Sequence, residues 1–265
     1  MKFLLIGNGF IAPRHREAIE KIGGEIVGTL SLDHDPEAWR EAIKNTAADC
    51  VVVLTPNDLH FEMTKLAADC GKIVLCEKPL AITSEHLEIL SAYPNIFTVL
   101  QLRYHPDIEK IRAEQLTENG KKHEIEMDIS VYRDDLYYTG WKGQTARSGG
   151  VLFNLGIHYF DLLLYLFGPA TEITLENLDD KTGTGVIAGE NYHCHFKVST
   201  DAPRDDQKRV YKINGTAYNF SSQDNLSFED LHRFVYQDLL KGQGITPQEA
   251  AKSTRVIETL IAQAK

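Results

Sequence analysis

Short apolar runs alternate with helically spaced apolar positions through the first hundred or so residues of the chain. Lys2–Ile6, Glu25–Leu30, Cys50–Leu54, Lys72–Cys76 and Ile96–Leu100 read as strands, of the kind that fill a parallel sheet covered on both faces. Between them the pattern predicts helices. One begins near Pro13, one is opened by Asp35-Pro36, and in a third Leu59, Met63, Leu66, Ala67 and Cys70 keep the helical period until Gly71. Asn57 or Asp58 is placed to cap that third helix. Strand–helix alternation with short loops means an α/β doubly wound sheet.

After Leu102 the period changes. Ile125, Met127, Ile129 and Val131 alternate with Glu124, Glu126, Asp128 and Ser130, and Tyr192, Cys194, Phe196 and Val198 alternate with His193, His195 and Lys197. Such alternation describes antiparallel strands with one wet face. Asn214-Gly215 between Lys208–Ile213 and Thr216–Phe220 is a hairpin signal. Two helices close the chain, one started by Ser227 to Asp230 and one by Thr246-Pro247-Gln248-Glu249, which combines a capping box with proline in the first turn. The expected division is therefore 1–102 and 103–265.

Composition narrows the function classes. A length of 265 residues allows one large domain or two modest ones, and a net charge of −10 argues against nucleic acid or an anionic membrane as the main partner. No apolar run approaches the roughly 20 residues of a bilayer span, and Lys2 followed by Phe3 to Gly7 is too short for a signal-peptide core. Cys50, Cys70, Cys76 and Cys194 lack metal or redox spacing and read as small buried thiols of a cytoplasmic protein. His193 and His195 lie two apart on one strand face, but without a third ligand they read as polar sheet residues beside the acidic strand.

Three places carry candidate chemistry. Gly7-Asn8-Gly9-Phe10-Ile11-Ala12 follows a strand and precedes a helix, matching the dinucleotide-binding fingerprint in its proper context. The acid expected to hold the adenine ribose is ambiguous. Ser31 in its place tolerates NADP, whereas Asp33 reaching the ribose favours NAD. No arginine directly follows the strand, so NAD is the expected cofactor, with NADP left open. Asn154, His158, Asp161 and Tyr165 form a polar stripe inside an otherwise apolar helix. Burying such groups unpaired costs roughly 1–3 kcal/mol each, so the stripe asks for a polar cavity. Cys76-Glu77-Lys78-Pro79 supplies a lysine on a tight corner as its natural companion.

Together with Thr55-Pro56-Asn57-Asp58-Leu59-His60 and Gly149-Gly150, these motifs resemble the glucose-fructose oxidoreductase, inositol dehydrogenase and MocA superfamily. Ile11-Ala12-Pro13-Arg14-His15, Leu100-Gln101-Leu102-Arg103-Tyr104-His105 and Trp141-Lys142-Gly143 look more closely like the UDP-N-acetylglucosaminuronate 3-dehydrogenases of bacterial O-antigen (lipopolysaccharide) sugar synthesis. The resemblance implies an N-terminal Rossmann sheet and a C-terminal α+β domain with an open, mostly antiparallel sheet. It implies a cis Lys78-Pro79 bond, and Lys78, Asn154 and His158 as the catalytic set, with asparagine where the superfamily usually has aspartate. It places Gly7, Gly9, Phe10, Ile11, Ser31, Asp33, Thr55, Pro56, Asn57, His60, Glu77, Lys78 and Gln101 on the cofactor. Lys78, Arg103, Tyr104, Trp141, Lys142, Asn154 and His158 fall on the substrate, and no metal is implied. Relatives that retain NADH recycle it with 2-oxoglutarate, and the family's open sheet implies a homodimer or homotetramer. The chain is shorter than is usual in the family between its second and third strands.

Arg103, Arg133, Lys142 and Arg147 are the cations available to a diphosphate and a carboxylate, and Tyr137, Tyr138 and Trp141 the aromatics available to a base or sugar. The expected function is NAD-dependent oxidation of the C3 hydroxyl of a UDP-N-acetyl hexuronate. A dehydrogenase of a free polyol or aldose and a non-enzymatic dinucleotide-bound sensor or partner subunit are the alternatives.

Overall fold

The computed structural model describes residues 1–32, 37–115, 121–220 and 228–264. They form two compact units, Met1–Gln101 with Ser227–Ala251, and Leu102–Leu226 with Lys252–Lys265. The single cut expected near Leu102 differs from this for 227–251, a segment whose partners are in the first unit. Asp33, Asp35-Pro36 and Ser227 lie outside the described residues.

The first unit runs β1 (Lys2–Ile6), α1 (Ala12–Lys21), β2 (Glu25–Leu30), α2 (Ala38–Asn45), β3 (Cys50–Val53), α3 (His60–Asp69), β4 (Ile73–Cys76), α4 (Ser84–Leu90) and β5 (Ile96–Thr98). All five strands are parallel, in the order β2-β1-β3-β4-β5. The continuous apolar runs of β1, β3, β4 and β5 are explained by burial on both faces, whereas β2, expected to be covered likewise, stands at the sheet edge with no buried residue. Leu4, Ile6, Val51, Val53, Val74 and Cys76 pack in one cluster with Trp39, Ile43, Met63 and Ala67 of the helices. Because β1 lies between β2 and β3, connections leave it toward both edges. That reversal opens a crevice at the carboxyl ends of β1 and β3, the place where such sheets bind ligands.

The second unit contains α5 (Pro106–Gln115), β6 (His123–Ser130), α6 (Asp135–Thr139), α7 (Thr145–Ser148), α8 (Ile157–Phe167), β7 (Ala170–Leu178), β8 (Thr182–Gly189), β9 (Tyr192–Ser199), β10 (Lys208–Ile213) and β11 (Thr216–Asn219). Its sheet runs β11-β10-β6-β9-β8-β7. Every neighbour pair is antiparallel except β6 and β9, which are parallel. Ile125, Met127, Ile129, Tyr192, Cys194, Phe196 and Val198 line the dry face. The α8 helix covers it, with Phe160 edge-on to Phe196 at 5.2 Å. On the wet face Glu124 sits opposite His193, Glu126 opposite His195 and Asp128 opposite Lys197, the expected acid–base juxtaposition. Asn214 (φ 51°) and Gly215 (φ 87°) make the hairpin turn, both in the left-handed region that a two-residue primed turn needs.

Two further helices follow, α9 (Phe228–Leu240) and α10 (Pro247–Gln263). The α9 helix rests on the first unit, its Tyr236 ring edge-on to Phe3 at 5.7 Å. At the start of α10 the capping box closes both ways: the Thr246 N–H donates to Glu249 at 3.0 Å and the Glu249 N–H to the Thr246 hydroxyl at 3.4 Å. The stretch Thr145–Phe167 does reach the length and mean hydropathy (1.5) of a membrane span, contrary to expectation, but 78% of its most apolar window is buried within the protein. Its apolar sides are spent on the sheet. Of the cysteines, Cys50, Cys76 and Cys194 are buried as expected and Cys70 is exposed.

Candidate active site

The loop after β1 is built by two glycines for different reasons. Gly7 has φ 106°, and a Cβ there would lie 2.5 Å from the Leu54 carbonyl oxygen, so the turn admits no side chain. A Cβ at Gly9 would meet no atom within 4 Å; glycine there keeps the space above the loop clear. No side chain caps α1 at Ile11, and Phe10 is 86% exposed. A helix start without a side-chain cap, behind an unobstructed glycine loop at the crevice, suits the pyrophosphate of a dinucleotide. Ala12 is fully buried, as close helix–strand packing requires.

At the adenosine end Ser31 is half-buried. The basic residue near β2 comes from α1: Arg16 donates to Thr29 Oγ1 at 2.9 Å and to Asn8 Oδ1 at 3.3 Å. An arginine absent from the sequence after the strand is thus supplied by the helix before it.

At the carboxyl edge of β3 and β4 the chain turns through Thr55, Pro56 and Asn57, then through Glu77-Lys78-Pro79. The Lys78-Pro79 peptide is cis, as the resemblance implied. Thr55, Asn57 and His60 are buried. His60 Nδ1 lies 2.7 Å from the Pro79 carbonyl oxygen and Nε2 2.9 Å from that of Thr55. Both ring nitrogens of this expected cofactor residue are therefore engaged by backbone. Burial lowers its pKa. Glu77, also expected on the cofactor, faces inward: Oε1 is 2.9 Å from His15 Nε2 and 3.7 Å from His232 Nε2. Burial alone would raise the Glu77 pKa, but the histidines beside it, above all the hydrogen bond with His15, hold it well below the usual carboxylate range. Gln101 begins a 3₁₀ turn that ends at half-buried Tyr104. Its Oε1 is shielded from solvent and accepts no hydrogen bond among the described residues, a need that a carboxamide N–H would meet.

In the second unit, Gly149 (φ 79°) and Gly150 (φ 80°) redirect the chain into a π-helical turn, Leu152–Gly156, before α8. A Cβ on Gly149 would lie 2.6 Å from the Phe153 ring. Such wide turns occur often at functional sites, and this one carries Asn154. The Asn154 Nδ2–H donates to the Lys142 carbonyl at 3.1 Å, tying the Trp141–Gly143 turn to the helix. His158 follows, half-buried, in the first turn of α8.

The polar stripe does not continue as one unit. Arg103 meets Asp161 with both prongs, and its guanidinium carbon sits 4.7 Å from the Tyr165 ring centroid. The buried carboxylate that seemed to demand a cavity is thus satisfied by arginine. Exposed Lys142 has its Nζ 5.7 Å from the Trp141 ring and 5.6 Å from that of Tyr137, with Arg133 5.4 Å from Tyr137. Tyr138 instead donates its hydroxyl to Thr200.

Sequence reasoning passed over His232 and Tyr236 and gave His15 no separate role. The signal was available: each is a polar residue on the buried side of an amphipathic helix, beside Ala12, Ala18 and Ile19 in α1 and beside Leu231, Val235 and Leu239 in α9.

Residues 1–94 match the family model described as oxidoreductase family, NAD-binding Rossmann fold, and residues 112–218 match the GFO/IDH/MocA C-terminal domain. Among solved structures, the WlbA (WbpB) dehydrogenase from Thermus thermophilus in complex with NAD and UDP-GlcNAcA is similar with TM-score 0.89 and 29% identity, over 98% of this chain and 94% of that one. The same dehydrogenase with NAD and alpha-ketoglutarate gives a TM-score of 0.90 at the same identity and coverage. D-glucoside 3-dehydrogenase of Escherichia coli (strain K12) is 32% identical over 175 residues, 63% of this chain and 48% of that protein. The scyllo-inositol 2-dehydrogenase (NADP(+)) IolW of Bacillus subtilis (strain 168) is 30% identical over 140 residues, 51% of this chain and 39% of that protein. The matched part spans less than half the length of these two curated relatives. One model falls on the parallel sheet with its glycine loop and the other on the mixed sheet, and the chain belongs to the GFO/IDH/MocA oxidoreductase family, its first unit being the NAD-binding Rossmann domain.

Proposed function

We propose that this protein is an NAD-dependent dehydrogenase that oxidises the C3 hydroxyl of a UDP-N-acetyl hexuronate. The observation that carries this reading is likeness along 98% of the chain to a dehydrogenase solved with NAD and UDP-GlcNAcA. The arginine, lysine and aromatic side chains around Trp141 support it, since a diphosphate and a carboxylate need cations and a base needs a stacking surface.

Bound NAD supplies the hydride acceptor. In this reading the Lys78 ammonium donates a hydrogen bond to the substrate oxygen and stabilises the negative charge that develops on it. His158 takes the hydroxyl proton, an exchange suited to imidazole near neutral pH. Asn154 orients the sugar and, through the Lys142 carbonyl, the Trp141–Gly143 turn. Tyr104, Trp141 and Lys142 contact the substrate. In this reading Arg103, oriented by its two hydrogen bonds to Asp161 and its ring contact with Tyr165, faces the substrate. The wider reading is a cytoplasmic homodimer or homotetramer serving bacterial polysaccharide synthesis; light scattering on the purified protein tests its oligomeric part.

Turnover tests the central claim. Purified protein with UDP-N-acetylglucosaminuronate and NAD, with and without 2-oxoglutarate, should yield NADH or a 3-keto sugar. Absence of product in both mixtures sinks the reading. A second reading, a free polyol or aldose as substrate, is favoured by the 32% identity to a glucoside dehydrogenase and 30% to an inositol dehydrogenase. Turnover of inositol or glucose without turnover of the nucleotide sugar would select it.

A further inference from the structure

We propose that Tyr236, His15 and Glu77 form a buried hydrogen-bond chain of fixed proton order that positions Lys78. The proposal deepens the catalytic reading of Lys78 and rests on it. All the groups lie in the first unit, on α1, α9 and the residue after β4, and His15 and Tyr236 are fully buried. His15 Nδ1 is 2.8 Å from the Tyr236 hydroxyl and Nε2 is 2.9 Å from Glu77 Oε1.

An ionised carboxylate only accepts, so Nε2 carries the proton it shares with Glu77. A neutral imidazole has one N–H, so Nδ1 accepts from Tyr236. The order is therefore Tyr236 O–H to Nδ1, then Nε2–H to Oε1. Burial keeps each member in the required state, lowering the His15 pKa and raising that of Tyr236 well above normal. The other Glu77 oxygen, Oε2, accepts the Lys78 backbone N–H at 3.3 Å. One residue on, His60 Nδ1 lies 2.7 Å from the Pro79 carbonyl. The Lys78 backbone is thus held before and after its Cα, which leaves only side-chain torsions to place the ammonium.

A structural interior does not need this arrangement, because a buried carboxylate is costlier than an apolar residue of equal size. Its placement next to Lys78 is what the chain serves. One ligand atom each of His15, Glu77 and His232 lie within 4.8 Å of one another, a grouping compatible with a metal. A metal would take the Nε2 lone pair and abolish the proton order, so the two arrangements are distinguishable.

The test uses full-length protein with ¹⁵N-labelled histidine and NAD present, the His15 signals being assigned by their loss in His15→Gln. A neutral Nε2–H tautomer at His15 is expected. An imidazolium, an Nδ1–H tautomer or stoichiometric bound metal overturns the proposal. Hydrogen exchange at the Lys78 amide should quicken about tenfold or more in His15→Phe and Tyr236→Phe, and return toward wild type in His15→Gln, whose amide N–H still reaches Glu77. In turnover, His15→Phe should lower kcat by about 10- to 100-fold while KM for NAD stays within about 3-fold, with His15→Gln restoring most of kcat. Unchanged kcat and exchange in Tyr236→Phe, which removes one hydroxyl and keeps the fold, refutes the chain. If the wild type turns over no sugar, the functional reading fails, while tautomer and amide exchange still decide the hydrogen-bond chain.

Discussion

Arg103 grips Asp161 with two parallel hydrogen bonds, Nε to Oδ2 at 2.8 Å and Nη2 to Oδ1 at 2.7 Å, with side-chain exposures of 11% and 3%. This fork geometry suits arginine alone. Removing one partner leaves a buried charge, so Asp161→Ala should destabilise the protein by about 3–5 kcal/mol. Replacing both, as Arg103→Met with Asp161→Leu, should recover much of that loss. Urea denaturation of the single and double variants measures the coupling, and a double variant no more stable than Asp161→Ala would argue against it.

The two loop glycines should fail differently. Gly7→Ala forces a side chain into the left-handed region and against the Leu54 carbonyl, costing about 1–3 kcal/mol or more. Gly9→Ala has no protein atom within 4 Å of its new Cβ and should leave stability within about 0.5–1 kcal/mol of wild type. Its NAD affinity should nonetheless fall about tenfold or more, because the new side chain occupies the pyrophosphate's approach. Thermal melts and NAD titrations separate the two effects.

Acid should destabilise the first unit in two stages. His15 and His60 are held by burial below their ordinary value of 6.5. The unfolded chain therefore takes up protons first, and stability declines as pH drops through about 6.5 toward the folded values. Glu77, held below its ordinary 4.5, contributes stability that is present above 4.5 and disappears as pH falls through its folded value. His15→Gln should flatten the first decline. Identical melting-temperature profiles for His15→Gln and wild type between neutrality and pH 5 would contradict the assignment.

Lys78→Met and His158→Asn should each lower kcat by about 10²–10⁴-fold or more. Their NAD affinity should stay within a few-fold of wild type. Stopped-flow turnover with parallel NADH fluorescence titrations distinguishes chemistry from binding, and wild-type rates in either variant would remove its assigned role.

Much of the fold was readable along the chain because burial imposes a period. Strands β1 to β5 appear as apolar runs, β6 and β9 as strict alternation, and the Asn214-Gly215 turn as a pair able to adopt positive φ. The glycine loop was readable because its constraint is steric and local. The parallel pairing of β6 with β9 was not, since alternation reports which face is wet and says nothing of a neighbour's direction. The π turn at Asn154 was likewise missed, because a helical period assumes regular winding.

The sequence alone determined which residues are apolar, where the chain must turn and which side chains can exchange protons; these follow from residue chemistry and short-range sterics. Tertiary structure decided who meets whom. It assigned Asp161 to Arg103, Arg16 to the end of β2, and His15 to both Glu77 and Tyr236, 62 and 221 residues away along the chain. Hydrogen bonds and ion pairs act over a few ångströms in space with no regard for sequence separation, so a pattern along the chain marks a buried polar group without naming its partner.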